Sequence, residues 1–136
     1  LGLSPYYRGT GTNVWPLINN EPDMVGATFM YIDAGIDTGE IIHQIRADLF
    51  VGDSPHSIGN RLIRKMTSTY ADIIAEFNCL EHSKQPISEG KLYFQKDFGA
   101  DSCRKLYQNL ERGMIEKYIN SNKKLPYIVT NKGLQK

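Results

Sequence analysis

The sequence holds only two cysteines, Cys79 and Cys103. They are too few and too far apart for a disulfide framework or a paired-cysteine zinc motif, and a reducing, cytoplasmic setting is expected. Histidine is scarce as well. His43, His56 and His82 show no H-x-x-x-H spacing, so no metal site is expected and each is read as structural. No apolar run approaches the roughly 18 residues a membrane-spanning helix needs, and no leader-like basic and apolar series opens the chain. A soluble protein without a membrane partner is expected. Because no basic stripe alternates with exposed aromatics, nucleic acid is a weak choice of partner.

What is present is ordinary in amount and informative in order. Apolar residues make up 40% of the chain and charged residues 23%, close to the globular average and enough for one modest core. Charge is unevenly spread. Residues 1 to 79 carry five Lys/Arg against nine Asp/Glu, and residues 80 to 136 carry eleven against six. The basic excess reads either as a solvated surface with a lysine-tipped tail or as attraction for a phosphate-bearing ligand. The start at Leu1, running directly into a Ser-Pro turn, reads as the beginning of a fragment.

Periodicity and breakers predict an alternation of strands and helices. Asn13 is a candidate cap for a short helix through Asn19, with Pro16 in its first turn. Gly26 to Ile32 and Glu40 to Leu49 read as strands, the second alternating Ile41, His43, Ile45 against Ile42, Gln44, Arg46. Gly52-Asp53-Ser54-Pro55 is a strong helix start. The stripe Ile58, Leu62, Met66, Tyr70, Ile73, Ile74, Phe77 then predicts a long amphipathic helix with that whole face in the core. A polar linker from Glu81 to Glu89 leads to a short strand at Gly90 to Gln95. Asp101 or Ser102 caps a further helix to about residue 119, with Gly113 as an internal weak point. Leu125 to Val129 reads as a last extended piece.

Between the first two strands lies Asp33-Ala34-Gly35-Ile36-Asp37-Thr38-Gly39, which places Asp37 on a glycine-hinged loop near a strand end. Open sheets put their ligand sites there, and a carboxylate so presented is a candidate for chemistry. An aspartate in such a loop also bonds its own backbone readily, and that reading stays open. Upstream, the turn Leu3-Ser4-Pro5-Tyr6-Tyr7-Arg8-Gly9 can close on the same spot. Arg8 offers a planar fork suited to a phosphate or carboxylate, or packs its stem on Tyr6 or Tyr7.

Taken in order, this turn, the short helix with Trp15 and Asn19-Asn20-Glu21, the strand entry Gly26-Ala27-Thr28 and the Asp33–Gly39 loop followed by Ile41-Ile42 resemble the folate-dependent formyltransferase family. That family includes methionyl-tRNA formyltransferase, glycinamide ribonucleotide formyltransferase and the sugar N-formyltransferases. The likeness covers residues 1 to about 78.

The resemblance implies an α/β fold. Residues 1–80 would be the C-terminal half of a Rossmann-like catalytic domain, and residues 81–136 a small strand-helix C-terminal extension. It implies an enzyme that moves a formyl group from 10-formyltetrahydrofolate to a small amine. Asp37 would be catalytic, Asp33, Ala34, Gly35 and Ile36 would line the folate, and Arg8 and Gly9 would meet the substrate. An asparagine and a histidine complete the family's site, and their Asn-x-His motif would fall upstream, the histidine immediately before Leu1. Two positions depart from the pattern: Gly2 stands where the family has a serine, and Met30 where the glycinamide ribonucleotide branch has a histidine. The resemblance favours a nucleotide-linked amino sugar as the amine, because the small extension after the shared domain contrasts with the larger β-barrel of the tRNA-acting branch and, with Met30, speaks against glycinamide ribonucleotide. The alternatives are methionyl-tRNA, glycinamide ribonucleotide, or a non-catalytic binding module in which the helix at 101–119 forms a homodimer contact.

Overall fold

The computed structural model describes residues 1–134. Its mixed α/β architecture is built on two small sheets that share one core. Strand β1 (Tyr7–Gly9) pairs in parallel with β4 (Lys91–Tyr93), and β2 (Gly26–Met30) pairs antiparallel with β3 (Ile41–Arg46). The strands are thus shorter than their apolar runs, and the parallel part is the β1–β4 pair. A register shift between Phe29 and Met30 interrupts the β2–β3 ladder just before the loop. Such a bulge bends its strand and re-aims the residues after it.

The alternation expected along β3 is not one-sided. Ile41, Ile42, Gln44 and Ile45 are all buried, because the chain near its end runs alongside this strand. Gln44 N donates to the Val129 carbonyl at 2.7 Å. The Gln44 side chain accepts from Val129 N at 2.9 Å and donates to the Ser4 carbonyl at 2.6 Å. A glutamine buried on every side is thereby satisfied, as burial of a polar group requires.

Helix α2 (Pro55–Ala75) starts as its sequence dictates. Ser54 caps it, accepting from Ser57 N while the Ser57 hydroxyl accepts from Ser54 N, and Pro55 opens the first turn. Asp53 adds a second clamp, binding both Arg61 Nη atoms at 3.0 and 2.7 Å. Only the first half of the apolar stripe plus Ile73 is core. Ile58, Leu62 and Ile73 are buried, while Tyr70, Ile74 and Phe77 are 57%, 59% and 46% exposed. The expectation of a wholly buried stripe is corrected here: nothing among the described residues covers that end.

Helix α1 (Trp15–Ile18) begins after Val14, which makes no side-chain cap bond, so Asn13 is not the cap. Its carbonyl end is closed from a distance, where Asn109 Nδ2 donates to the Leu17 and Ile18 carbonyls at 3.0 and 2.9 Å. Asn109 belongs to α3 (Ala100–Glu111), whose N-cap is Gly99 and neither Asp101 nor Ser102. Asp101 instead sits in the first turn, where its charge suits the helix dipole. Gly113 takes a left-handed conformation at φ +79 and divides the expected single helix in two, the second piece being α4 (Met114–Ile119). Leu106, Met114 and Ile115 from these helices join Tyr7, Trp15, Leu17, Ile18, Ile58 and Leu62 in one cluster. Residues past 80 therefore pack into the same core as those before it. Leu125 to Val129 forms no strand.

Candidate active site

The loop between β2 and β3 is closed at its neck and stapled from inside and outside. Tyr31 N donates to the Glu40 carbonyl at 2.9 Å. Asp33 acts inside, its Oδ1 accepting from Gly35 N at 2.9 Å and from the Thr38 hydroxyl at 2.6 Å. Those two bonds, the hydroxyl's first, hold the Asp33 carboxyl below its ordinary range. Gln85 acts outside, its Nε2 donating to the carbonyls of Asp37 at 2.7 Å and Gly39 at 2.9 Å.

These staples set Asp37 in the left-handed region at φ +54, one of the few conformations there that aspartate and asparagine tolerate well. Its side chain leaves the loop and crosses to β1, where Oδ2 accepts Gly9 N at 2.8 Å. Oδ1 takes no hydrogen bond among the described residues. The carboxylate is half-buried and fixed at one oxygen, with the other free to meet a donor.

Gly9 is held equally tightly from behind. It has φ +93, and a Cβ built there would lie 2.1 Å from the Tyr93 carbonyl oxygen, so β4 approaches β1 too closely for any side chain at this position. Neighbouring Arg8 is partly buried, and its Nε has no hydrogen-bond partner. Asp33, Gly35, Ile36 and Asp37 line one concavity of about 240 Å³ with Met30, Tyr31, Ile32 and others. Ala34 is exposed on the same loop and is not part of that wall. A second hollow of about 510 Å³ continues along Met30, Tyr31 and Ile32 to the exposed Tyr70, Ile74 and Phe77 of α2. The structure thus brings Asp37 and Gly9 into contact and gathers Asp33, Gly35, Ile36 and Asp37, without Ala34, on one wall. Arg8 lies one residue away with an unspent donor.

The three histidines lie apart from this contact. His43 Nδ1 accepts Asn131 N at 2.9 Å, and burial pushes the imidazole below its usual value. His82 pairs with Glu40, and His56 lies on the exposed first turn of α2. Among the described residues no group of three His, Cys, Asp or Glu side chains could hold a metal ion. None of their helices is long and apolar enough to cross a membrane.

No family model matches the chain. A dTDP-4-amino-4,6-dideoxyglucose formyltransferase of Mycobacterium tuberculosis is 33% identical over 122 residues, which is 88% of this chain and 49% of that protein. The crystal structure of WlaRD, a sugar 3N-formyl transferase with dTDP and 5-N-formyl-THF present, superimposes with a TM-score of 0.64 at 28% identity. It covers 72% of this chain and 36% of that one. In sequence and in fold the chain is similar to formyltransferases. A methionyl-tRNA formyltransferase of Citrifermentans bemidjiense is a further relative, 27% identical over 114 residues, or 84% of this chain and 32% of that protein. The chain spans about half the length, or less, of the curated relatives it matches.

Three residues hold the site's loop or the strand behind it without having been singled out from sequence. Gln85 lies in a polar linker with no periodicity to mark it. Gln44 stands between His43 and Ile45 on β3, where an alternating strand gives no sign that it is enclosed. Asn131 donates to the Ile42 and Glu81 carbonyls at 3.1 and 2.7 Å, from a stretch whose local sequence carries no cue.

Proposed function

We propose that the protein containing this chain transfers a formyl group from 10-formyltetrahydrofolate to the amine of a nucleotide-linked amino sugar. The observation that carries the proposal is the Asp37 carboxylate, anchored through Oδ2 by Gly9 N at 2.8 Å on a loop stapled by Asp33 and Gln85. The relatives add direction: the mycobacterial protein is named for a dTDP-amino sugar, and WlaRD was crystallised with dTDP and a formyl-folate.

Formyl transfer requires that an attacking amine lose a proton, that negative charge building on oxygen be stabilised, and that the departing nitrogen gain a proton. Positioned acid–base groups contribute roughly 100-fold to 10,000-fold to such a reaction. In this reading Asp37 Oδ1 orients and supports an imidazole supplied by the upstream Asn-x-His motif and accepts a proton through ordered water. The bond from Gly9 keeps the carboxylate aimed. The folate supplies the one-carbon unit. The donor set fits a pterin: Asp33, Gly35 and Ile36 line the concavity and, with Ala34 beside it, offer backbone groups, and apolar Met30 and Ile36 flank space for a flat ring. Arg8, with its unspent Nε, and the backbone at Gly9 meet the acceptor substrate.

We further propose that residues 1–80 are the C-terminal half of a Rossmann-like catalytic domain and 81–136 its extension. A cytoplasmic setting accords with the two free cysteines, and the partly exposed outer face of α3 and α4 is the surface for a homodimer.

The test is to incubate the full-length protein with 10-formyltetrahydrofolate and either a dTDP-linked amino sugar or methionyl-tRNA, and to separate the products. An N-formyl sugar nucleotide is expected. Formylmethionyl-tRNA with no sugar product would overturn the choice of substrate, and no product from any amine would favour a binding module.

A further inference from the structure

Asp37 is only as well aimed as the amide that holds it, and Gly9 lies on a strand with one partner among the described residues. The β1–β4 ladder is short and parallel, Tyr7, Arg8 and Gly9 facing Lys91, Leu92 and Tyr93. Such a pair is weak by itself, so its register has to be fixed from outside the ladder. The fit at Gly9 is nonetheless tight. Thr10 N donates to the Tyr93 carbonyl at 2.9 Å, and that same oxygen closes the space behind Gly9. Whatever fixes Tyr93 therefore fixes Gly9.

Three contacts compete for that task. The Tyr93 ring lies against Trp15 at 4.1 Å and faces Tyr7 at 6.0 Å, both nearly parallel, but stacking tolerates a range of offsets and gives area more than direction. Lys91 pairs with Glu21 at 2.8 Å, yet the two side chains are 46% and 32% exposed, and a solvated ion pair holds little. Asn19 is different. Its Nδ2 carries two hydrogens and donates to the hydroxyls of Tyr93 at 2.8 Å and Tyr7 at 3.1 Å, one on each strand of the ladder. Tyr7 is buried, so packing fixes that end of the bridge. Asn19 itself is held at the end of α1, its backbone N donating to the Trp15 carbonyl at 2.9 Å.

We propose that Asn19 is a positioning residue for formyl transfer. By joining the two tyrosine hydroxyls it sets β4 against β1, β4 sets Gly9, and the Gly9 amide aims the Asp37 carboxylate. In any register displaced by one residue Tyr93 would face the opposite side of the sheet, and one Asn19 hydrogen would lose its acceptor. A misplacement of about 1 Å at a catalytic group can cost about 100-fold in rate, so even a small displacement of β4 is measurable in turnover. The rate effect rests on the formyl-transfer reading; the effect at Gly9 rests on the geometry alone.

The full-length protein carrying Asn19→Ala and Tyr93→Phe, singly and together, tests it. Asn19 has φ −85 and ψ 7, which alanine adopts freely, and phenylalanine keeps the stacked ring while removing the hydroxyl. Each single variant is expected to unfold cooperatively and to lower kcat with a dTDP-linked amino sugar at least roughly tenfold, with KM for the sugar and for 10-formyltetrahydrofolate little changed. Amide exchange at Gly9, followed by NMR without either substrate, is expected to accelerate. The double variant should fall no further than Asn19→Ala, because Tyr93 then has no bond left to lose. Three results would overturn the proposal: folded variants with parental Gly9 exchange and kcat, a raised KM at unchanged kcat, which would make Asn19 a substrate contact, or additive losses in the double variant. Should Asn19→Ala fail to fold, Tyr93→Phe decides. A full-length protein that forms no N-formyl product would refute the formyl-transfer reading, and Gly9 exchange would still decide what Asn19 holds.

Discussion

Asp37 and Gly9, 28 residues apart in sequence, are joined by a single hydrogen bond of 2.8 Å from a strand amide to a loop carboxylate. The bond orients the acid and also ties the loop to the β1–β4 pair, so substitutions at Asp37 can separate chemistry from architecture. Asparagine keeps an acceptor for Gly9 N and tolerates φ +54, while it removes the charge. In the full-length protein Asp37→Asn is expected to lower formyl transfer by roughly 100-fold or more with an unchanged unfolding midpoint. Single-turnover formylation and chemical denaturation check the two halves of that statement.

Gln85 should behave as a positioning residue. Its amide donates to the Asp37 and Gly39 carbonyls, each bond contributing about 1 kcal/mol. Gln85→Ala is expected to speed amide exchange in residues 33–39, to leave α2 protected, and to reduce turnover less than Asp37→Asn does. Hydrogen-exchange mass spectrometry of the two variants together reads this; unchanged loop exchange would remove Gln85 from the account.

Asp53 gives a pH-dependent prediction. Its carboxyl is held below the ordinary Asp value first by hydrogen bonds from Arg61, with Phe50 N and Ser57 helping. A depressed folded value means that the unfolded chain takes the proton first. The contribution is whole above the ordinary range and is lost as pH falls through the depressed value. Asp53→Asn should cost about 1–3 kcal/mol at neutral pH, and the gap to the parent should close in strong acid. Urea midpoints measured across that window test it.

His43 works in the same direction, nearer neutrality. Burial lowers its value below 6.5, and its Nδ1 must be unprotonated to accept Asn131 N. Below 6.5 the unfolded chain binds the proton before the folded one does. Stability from this site is therefore full above that point and falls as pH drops toward the folded value. Asn131 amide exchange should accelerate over the same interval, and His43→Gln should flatten the dependence.

The parts of the fold legible in the sequence are those with local causes. The start of α2 follows from Asp53, Ser54, Pro55 and Ser57 within five positions, and the Asp33–Gly39 loop follows from its glycines between two β-branched runs. Where reading failed, a distant partner had replaced the local signal. Asn109 closes the carbonyl end of α1 from 91 and 92 residues away, and no local residue announces it. The apolar stripe of α2 gives the angle of a face and says nothing about what lies over its far end, so Tyr70 and Ile74 were expected inside and lie outside. Gly113 was marked as a weak point, yet only the packing of Met114 and Ile115 into the core made it a break. In the site, Asp37 was legible because its loop is; Gln85 was not, because two amide bonds across 46 and 48 residues leave no pattern in a linker.

The room at residue 9 carries a last implication. With the Tyr93 carbonyl 2.1 Å from where a methyl group would sit, the amide that steadies the acid is wedged by the neighbouring strand. Were β4 to slip along β1, the carboxylate's tether would shift with it. Insertions in the 81–90 segment that alter where β4 arrives should thus be felt as mis-aimed chemistry long before they are felt as lost folding.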